Sequence, residues 1–180
     1  MTTTGQSVTG QSDDRLLCLL QTVEKEGRHL IGTTARLFAD TIDAVWVQRL
    51  EDQPELAERT DAFATRFGRM QDTLGDKLIP ELRRRLLETP GAALDNLNRM
   101  EKLGLLASVT DWVEARNLRN RLVHEYMQDE AEFAGALNRA AELVPLLVRT
   151  YNAVNAYARN RFGASVPHWP APLPAARCEP

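Results

Sequence analysis

Residues 53–91 read QPELAERTDAFATRFGRMQDTLGDKLIPELRRRLLETPG, and how this stretch folds decides the class of the whole chain. Pro54 stands where a first helical turn would begin, a place where its missing N–H has no intrahelical partner to lose. From there Leu56, Phe63, Phe67, Met70, Leu74 and Leu78 recur at steps of three, four and seven. Such steps lay apolar side chains along one face of a helix; a half-buried strand would alternate them every second position. Pro80 removes a donor and crowds the carbonyl four residues back, so the helix is expected to bend or break there.

The same period extends outward in both directions. SDDRLLCLLQTVEKEG (12–27) opens with cap-type residues and sets Leu16, Leu19, Leu20 and Val23 on one stripe. Gly27 and Gly32 then weaken the pattern, and a second helix is expected through Leu37, Phe38, Ile42, Val45 and Trp46. A shorter helix near 91–103 carries Leu94, Leu97, Met100 and Leu103 and ends at Gly104. SVTDWVEARNLRNRLVHEY (108–126) and DEAEFAGALNRAAELVPLLVRTYNAVNAYARNRFG (129–163) supply two more, the last opening with Asp129 and Glu132 in capping-box spacing. No alternating run and no Asn-Gly or Asp-Gly hairpin turn interrupts this. The sequence predicts an all-α fold, an antiparallel helical bundle with short loops over residues 13–162.

The ends differ in composition. Residues 1–12 hold Thr, Gly, Ser and Gln with almost nothing to bury, which predicts a flexible N-terminal lead-in. Residues 163–180 contain five of the nine prolines and form a Pro-rich tail, expected to be extended, on which Trp169 could still dock. Cys18 in an apolar helix pattern reads as a buried thiol and Cys178 as a tail thiol, far from any disulfide framework or metal set.

The bulk chemistry is ordinary. Hydrophobic residues make up 43%, charged residues 26%, and the net charge is −3, so any nucleic-acid contact must use a local basic patch. No run approaches the roughly 18 apolar residues of a membrane span, and MTTTGQSVTGQSDD has no basic region leading into an apolar one. A cytoplasmic protein without membrane contact is the expectation.

One helix carries more hydrogen-bonding chemistry than a bundle needs. On a helix of about 100° per residue, Trp112, Ala115, Leu122 and Tyr126 share a core-facing stripe edged by Leu118 and Val123. Asn117, Asn120 and His124 share the opposite side, with Arg121 beside them. Arg119 falls inside the apolar stripe, where a guanidinium is rare unless it is paired or functional. His124 stands near the expected helix end, where the dipole favours imidazolium, and histidine is suited to moving protons near neutral pH. The plainer reading has His124 as surface filler, Arg119 reaching past its neighbours to water and Tyr126 capping the core. Arg119 and His124 lie five residues apart, hence about 140° around the axis, so one regular helix cannot aim both at one atom. Either the helix distorts, or a second copy faces it across a two-fold axis; the second arrangement is favoured.

RNRLVHEY (119–126) resembles the signature of HEPN-domain proteins, and within them the HepT-like ribonuclease toxins: Arg, a polar residue, three positions, His, any residue, Tyr. Arg119, Asn120, His124 and Tyr126 match at every position, and AFATRFGRMQD and NLNRMEKLGLL extend the likeness over roughly residues 50–150. The long N-terminal region and the Pro-rich tail depart from compact members of that group. The resemblance implies an HEPN-type bundle acting as a homodimer and a metal-independent endoribonuclease with no cofactor. It implies His124 as general acid/base, Arg119 as phosphate clamp and Asn120 as orienting group, with Arg116 and Arg121 as further RNA-phosphate contacts. It also implies that Tyr126 accepts AMP from an MNT-type nucleotidyltransferase antitoxin. The alternative is a non-catalytic HEPN bundle that binds a nucleotide or such a partner.

Other charged groups read more plainly. Arg66, Arg69 and Asp72 in TRFGRMQD suit a solvated face with intrahelical ion pairs, or alternatively support for the motif helix from Asp72 or Arg66. Arg83, Arg84 and Arg85 read as solvated charge, and His29 and His168 are assigned no chemistry.

Overall fold

The computed structural model describes residues 8–124, 129–163 and 166–176, without the side chains of residues 8–14, 123 and 124. Its elements are helical throughout: α1 (Val8–Leu37), α2 (Ala44–Gln48), α3 (Pro54–Asp72), a π-helical segment (Thr73–Leu78), α4 (Ile79–Arg85), α5 (Ala93–Lys102), α6 (Val109–His124) and α7 (Glu130–Phe162). There is no strand among the described residues. Among them, too, no helix is long and apolar enough to cross a membrane.

The stretch 53–91 forms the spine. Pro54 sits in the first turn of α3, and Phe63, Phe67, Met70, Leu74 and Leu78 are fully buried, as the spacing predicts. Burying side chains of this size is worth about 1.5–3 kcal/mol each. Pro80 does not break the path. The chain instead widens into the π-helical segment, where the N–H of Ile79 donates to the carbonyl of Leu74, five residues back. The wider turn relocates the carbonyls that the proline ring would strike, and Pro80 then occupies the first turn of α4.

The expected break at Gly27 and Gly32 is absent, for α1 runs unbroken from Val8, inside the presumed lead-in, to Leu37. Tertiary packing overrides local propensity here. A Cβ at Gly27 would stand 2.2 Å from Cδ1 of Leu173 and 3.2 Å from Cε of Met70, so the glycine makes room for neighbours. In place of a long second helix there is only α2, started by Asp43, whose carboxylate accepts from the N–H of Trp46 at 2.8 Å.

Residues of α1 meet α3 and its continuation in opposite chain order. Phe38 packs edge-on against Phe63 at 5.1 Å, Arg66 donates to Thr33, and Thr73 donates to Glu26 at 3.2 Å. α7 covers the other side, burying Leu137, Val144, Leu147, Tyr151 and Val154. Its start is capped by Asp129, whose carboxylate accepts from the N–H of Glu132 at 2.9 Å. Cys18 is exposed on α1, not buried: Leu16 and Leu20 on either side face the core, and a helical residue two from each cannot share their face.

Candidate functional site

The motif helix α6 is seated by its apolar residues. Trp112, Ala115 and Leu118 are buried, while Leu122 is only half-buried, so the core stripe runs through Leu118, which was expected at its edge. Two glycines of the spine let α6 come close. A Cβ at Gly75 would lie 2.9 Å from Cζ2 of Trp112. A Cβ at Gly68 would lie 3.0 Å from Cγ and 3.1 Å from Nε of Arg119. The π-helical segment thus receives the tryptophan, and the last turns of α3 receive the arginine.

Arg119 lies across Gly68 and reaches Asp72, one helical turn further along α3. Its Nη2 donates to Oδ2 of Asp72 at 2.5 Å, and its Nη1 donates to Oδ1 of Asn120 at 2.8 Å. The Arg119 side chain is 28% exposed and that of Asp72 37%, so the pair sits at the rim of the bundle and not inside it. A guanidinium offers five N–H donors in a planar fork, so it can hold both partners and still address an incoming anion. Of the two readings of Asp72, the structure places the carboxylate against the motif helix, whereas Arg66 turns to Thr33 of α1.

The flanking arginines also face carboxylates. Arg116 approaches Asp76 of the π-helical segment at 3.4 and 3.5 Å, a loose pair. Arg121 donates to Glu132 in the first turn of α7. Their side chains are 43% and 36% exposed, and ion pairs this wet are worth about 0–1 kcal/mol. Asn117 and Asn120 lie on the exposed face. His124 is the last residue of α6, and its side chain, like the whole of Tyr126, lies outside the described residues.

Beneath this rim lies a group that sequence reasoning passed over. Glu26 of α1 accepts from the hydroxyl of Thr73 through Oε1, while its Oε2 is buried without a hydrogen-bond partner. Burial pushes its carboxyl above the usual range, against the hydrogen bond from Thr73 and the pull of Arg69 and Lys77. Gly68 was also missed, although a glycine inside a strong helical period is itself a sign of close approach. Among the described residues, no three or more His, Cys, Asp or Glu side chains gather as a metal-binding set.

The assembled chemistry is a partly exposed guanidinium held by a carboxylate, an amide that accepts from it, and two further ion-paired arginines on the same helix. That combination can hold a phosphate or another compact anion at the rim of α3 and α6. No protein-family model, curated protein or solved structure matches the chain.

Proposed function

We propose that the protein is a metal-independent endoribonuclease of the HEPN type, the toxin of a HEPN/MNT toxin–antitoxin pair acting in the cytoplasm. In this reading the helices form an antiparallel HEPN bundle, and two copies bring their α6 helices together. The observation that carries it is Arg119, a guanidinium on the motif helix, laid over Gly68 and held by Asp72 and Asn120 at the rim. A cation held in place before substrate arrives needs little reorganisation as charge develops on a phosphate.

The mechanism follows from these groups. His124 accepts the proton of an RNA 2′-hydroxyl, whose oxygen then attacks the adjacent phosphorus. Arg119 binds the equatorial oxygens as the phosphorane forms, and Asn120 keeps the guanidinium turned toward them. An imidazolium returns a proton to the departing 5′-oxygen, leaving a 2′,3′-cyclic phosphate and a 5′-hydroxyl. The two proton transfers suit a homodimer, in which the imidazoles of the two motif helices serve as base and acid. Arg116 and Arg121 bind neighbouring phosphates by leaving Asp76 and Glu132. An AMP group on Tyr126, transferred by an MNT-type nucleotidyltransferase, would place a phosphate where RNA must bind and so switch the enzyme off.

A second reading has the bundle bind a nucleotide or a nucleotidyltransferase without catalysis. It draws on the ion pairs of Arg116, Arg119 and Arg121, which already match each guanidinium with a carboxylate of its own fold. Total RNA incubated with the purified protein and a chelator separates the two. Cleavage that survives chelation and disappears in His124→Ala supports the enzyme; equal cleavage by both proteins removes His124 from the mechanism. Absence of cleavage in both, with nucleotide retained on the wild-type protein, supports the second reading.

A further inference from the structure

Beyond Val166 the chain turns back onto the bundle, and the seam between α1 and α7 holds it through both main-chain and side-chain contacts. Asn152 grips Leu173 twice: its Nδ2 donates to the Leu173 carbonyl at 2.9 Å, and its Oδ1 accepts from the Leu173 N–H at 2.8 Å. Asn155, 4% exposed, donates through Nδ2 to the carbonyl of Pro170 at 3.0 Å and accepts from Nε1 of Trp169. The hydroxyl of Tyr151 donates to the carbonyl of Ala171 at 3.3 Å. Leu173 itself is 3% exposed, its side chain seated over Gly27 and against Met70.

These contacts have the form of peptide recognition. Main-chain groups of the segment are paired by side chains of the groove, and one side chain fills a socket, which is how an extended peptide is usually read. The sequence WPAPLP (169–174) suits it, because Pro170, Pro172 and Pro174 fix three backbone angles in advance and lower the entropy lost on docking. The groove also depends on its occupant. The bonds of the Asn155 amide and of the Tyr151 hydroxyl described above all end on the tail, and buried polar groups stripped of such partners destabilise a fold. Gly27 stands inside an unbroken helix of 30 residues, where a Cβ would collide with Leu173.

We propose that the α1–α7 seam is a peptide-binding site for a proline-flanked segment bearing leucine, filled in cis by residues 169–173 of this chain as a separable intramolecular ligand. The occupied socket reaches the spine at Met70, which lies two residues from both Gly68 and Asp72 and so faces the core, away from the anion-binding rim. This inference does not rest on RNA cleavage, and its test does not read it.

The test uses the full chain with a protease recognition sequence placed between Gly163 and Val166. After cutting, the tail fragment is expected to co-elute with the body on size exclusion, and to be lost when the chain carries Leu173→Asp. A fluorescent peptide spanning residues 166–176 is expected to bind the cut body freed of its tail. It should bind the uncut chain at least about tenfold more weakly, because it then competes with a tethered copy at high effective concentration. Free elution of the wild-type tail fragment, retention unaffected by Leu173→Asp, or equal peptide binding by cut and uncut chains would overturn the proposal. So would a tail-exchanged dimer as the sole bound form.

Discussion

Two arginine–carboxylate clusters in this bundle use the same chemical groups for different ends. Between α4 and α5, Glu88 accepts from Arg83 at 3.1 Å and from Nε of Arg99 at 2.9 Å. Arg83 also donates to Asn96 at 2.6 Å, and that buried amide is locked to both main-chain groups of Gly91 at 3.0 and 3.1 Å. Every bond there closes the connecting loop, so the cluster behaves as a staple. At the motif helix one guanidinium meets one carboxylate and its neighbouring amide at the rim, over a glycine, with no loop to close. What separates the two is what the bonds join: the first set ties the loop between α4 and α5 to both helices, whereas the second joins α6 to α3 with no loop between them.

Substitutions that exchange the expected effects of the two clusters would break that comparison. The largest effect is expected at Arg119. On the proposed ribonuclease reading, Arg119→Ala should lower RNA cleavage by about 10²–10³, as loss of a transition-state donor commonly does, while Arg99→Ala should leave the cleavage rate near wild type. Parallel rate assays and melting curves check this, and equal rate losses in both variants would erase the distinction. Gly68→Ala comes next. The new Cβ would press on Arg119 and displace the guanidinium, so cleavage should fall by about tenfold with stability changed by no more than about 1 kcal/mol. A wild-type rate in that variant would show that the close approach is mere packing.

The staple gives a smaller effect, seen in stability. Hydrogen bonding to Arg99, and then to Arg83, holds the Glu88 carboxyl below its usual range. Its contribution is therefore present above the ordinary carboxylate value and lost as pH falls through the lowered one. Glu88→Gln should cost about 1 kcal/mol at neutral pH and flatten the acid limb of the denaturation curve, with RNA cleavage unchanged. Glu26 should respond in the opposite sense. Its folded carboxyl is raised by burial, so the protein loses stability as pH rises from the ordinary carboxyl value through the raised one. Glu26→Gln can still accept from Thr73 and should be neutral or stabilising by a few tenths of a kcal/mol at neutral pH. Denaturant titrations at pH 5 and pH 8 measure this, and a marked destabilisation at pH 8 would contradict the burial account.

Much of this architecture was legible in the sequence, and the misses share a cause. The period of Phe63, Phe67, Met70, Leu74 and Leu78 placed the spine correctly because a helix in contact with a core must repeat in that way. Gly27 misled because its reason for being glycine is Leu173, far along the chain. At Pro80, expected to bend or break the helix, the chain takes a π-helical segment in place of a break, and composition does not choose between these. At the candidate site, Arg119 announced itself by standing in an apolar stripe. Its partner Asp72, 47 residues earlier, sat in an ordinary-looking charged face, and no local pattern pairs two such distant positions. The assignments of His124 and Tyr126 rest on the resemblance of RNRLVHEY to the HEPN signature.

The most direct test of the ribonuclease reading is the chemistry of the ends it leaves. Wild-type protein incubated with a defined RNA in excess chelator should yield fragments with 2′,3′-cyclic phosphate and 5′-hydroxyl termini. His124→Ala and Arg119→Ala should yield none above background. Fragments ending in 3′-hydroxyl and 5′-phosphate, or cyclic-phosphate ends formed equally by the variants, would contradict attack by the RNA's own hydroxyl at this guanidinium and imidazole.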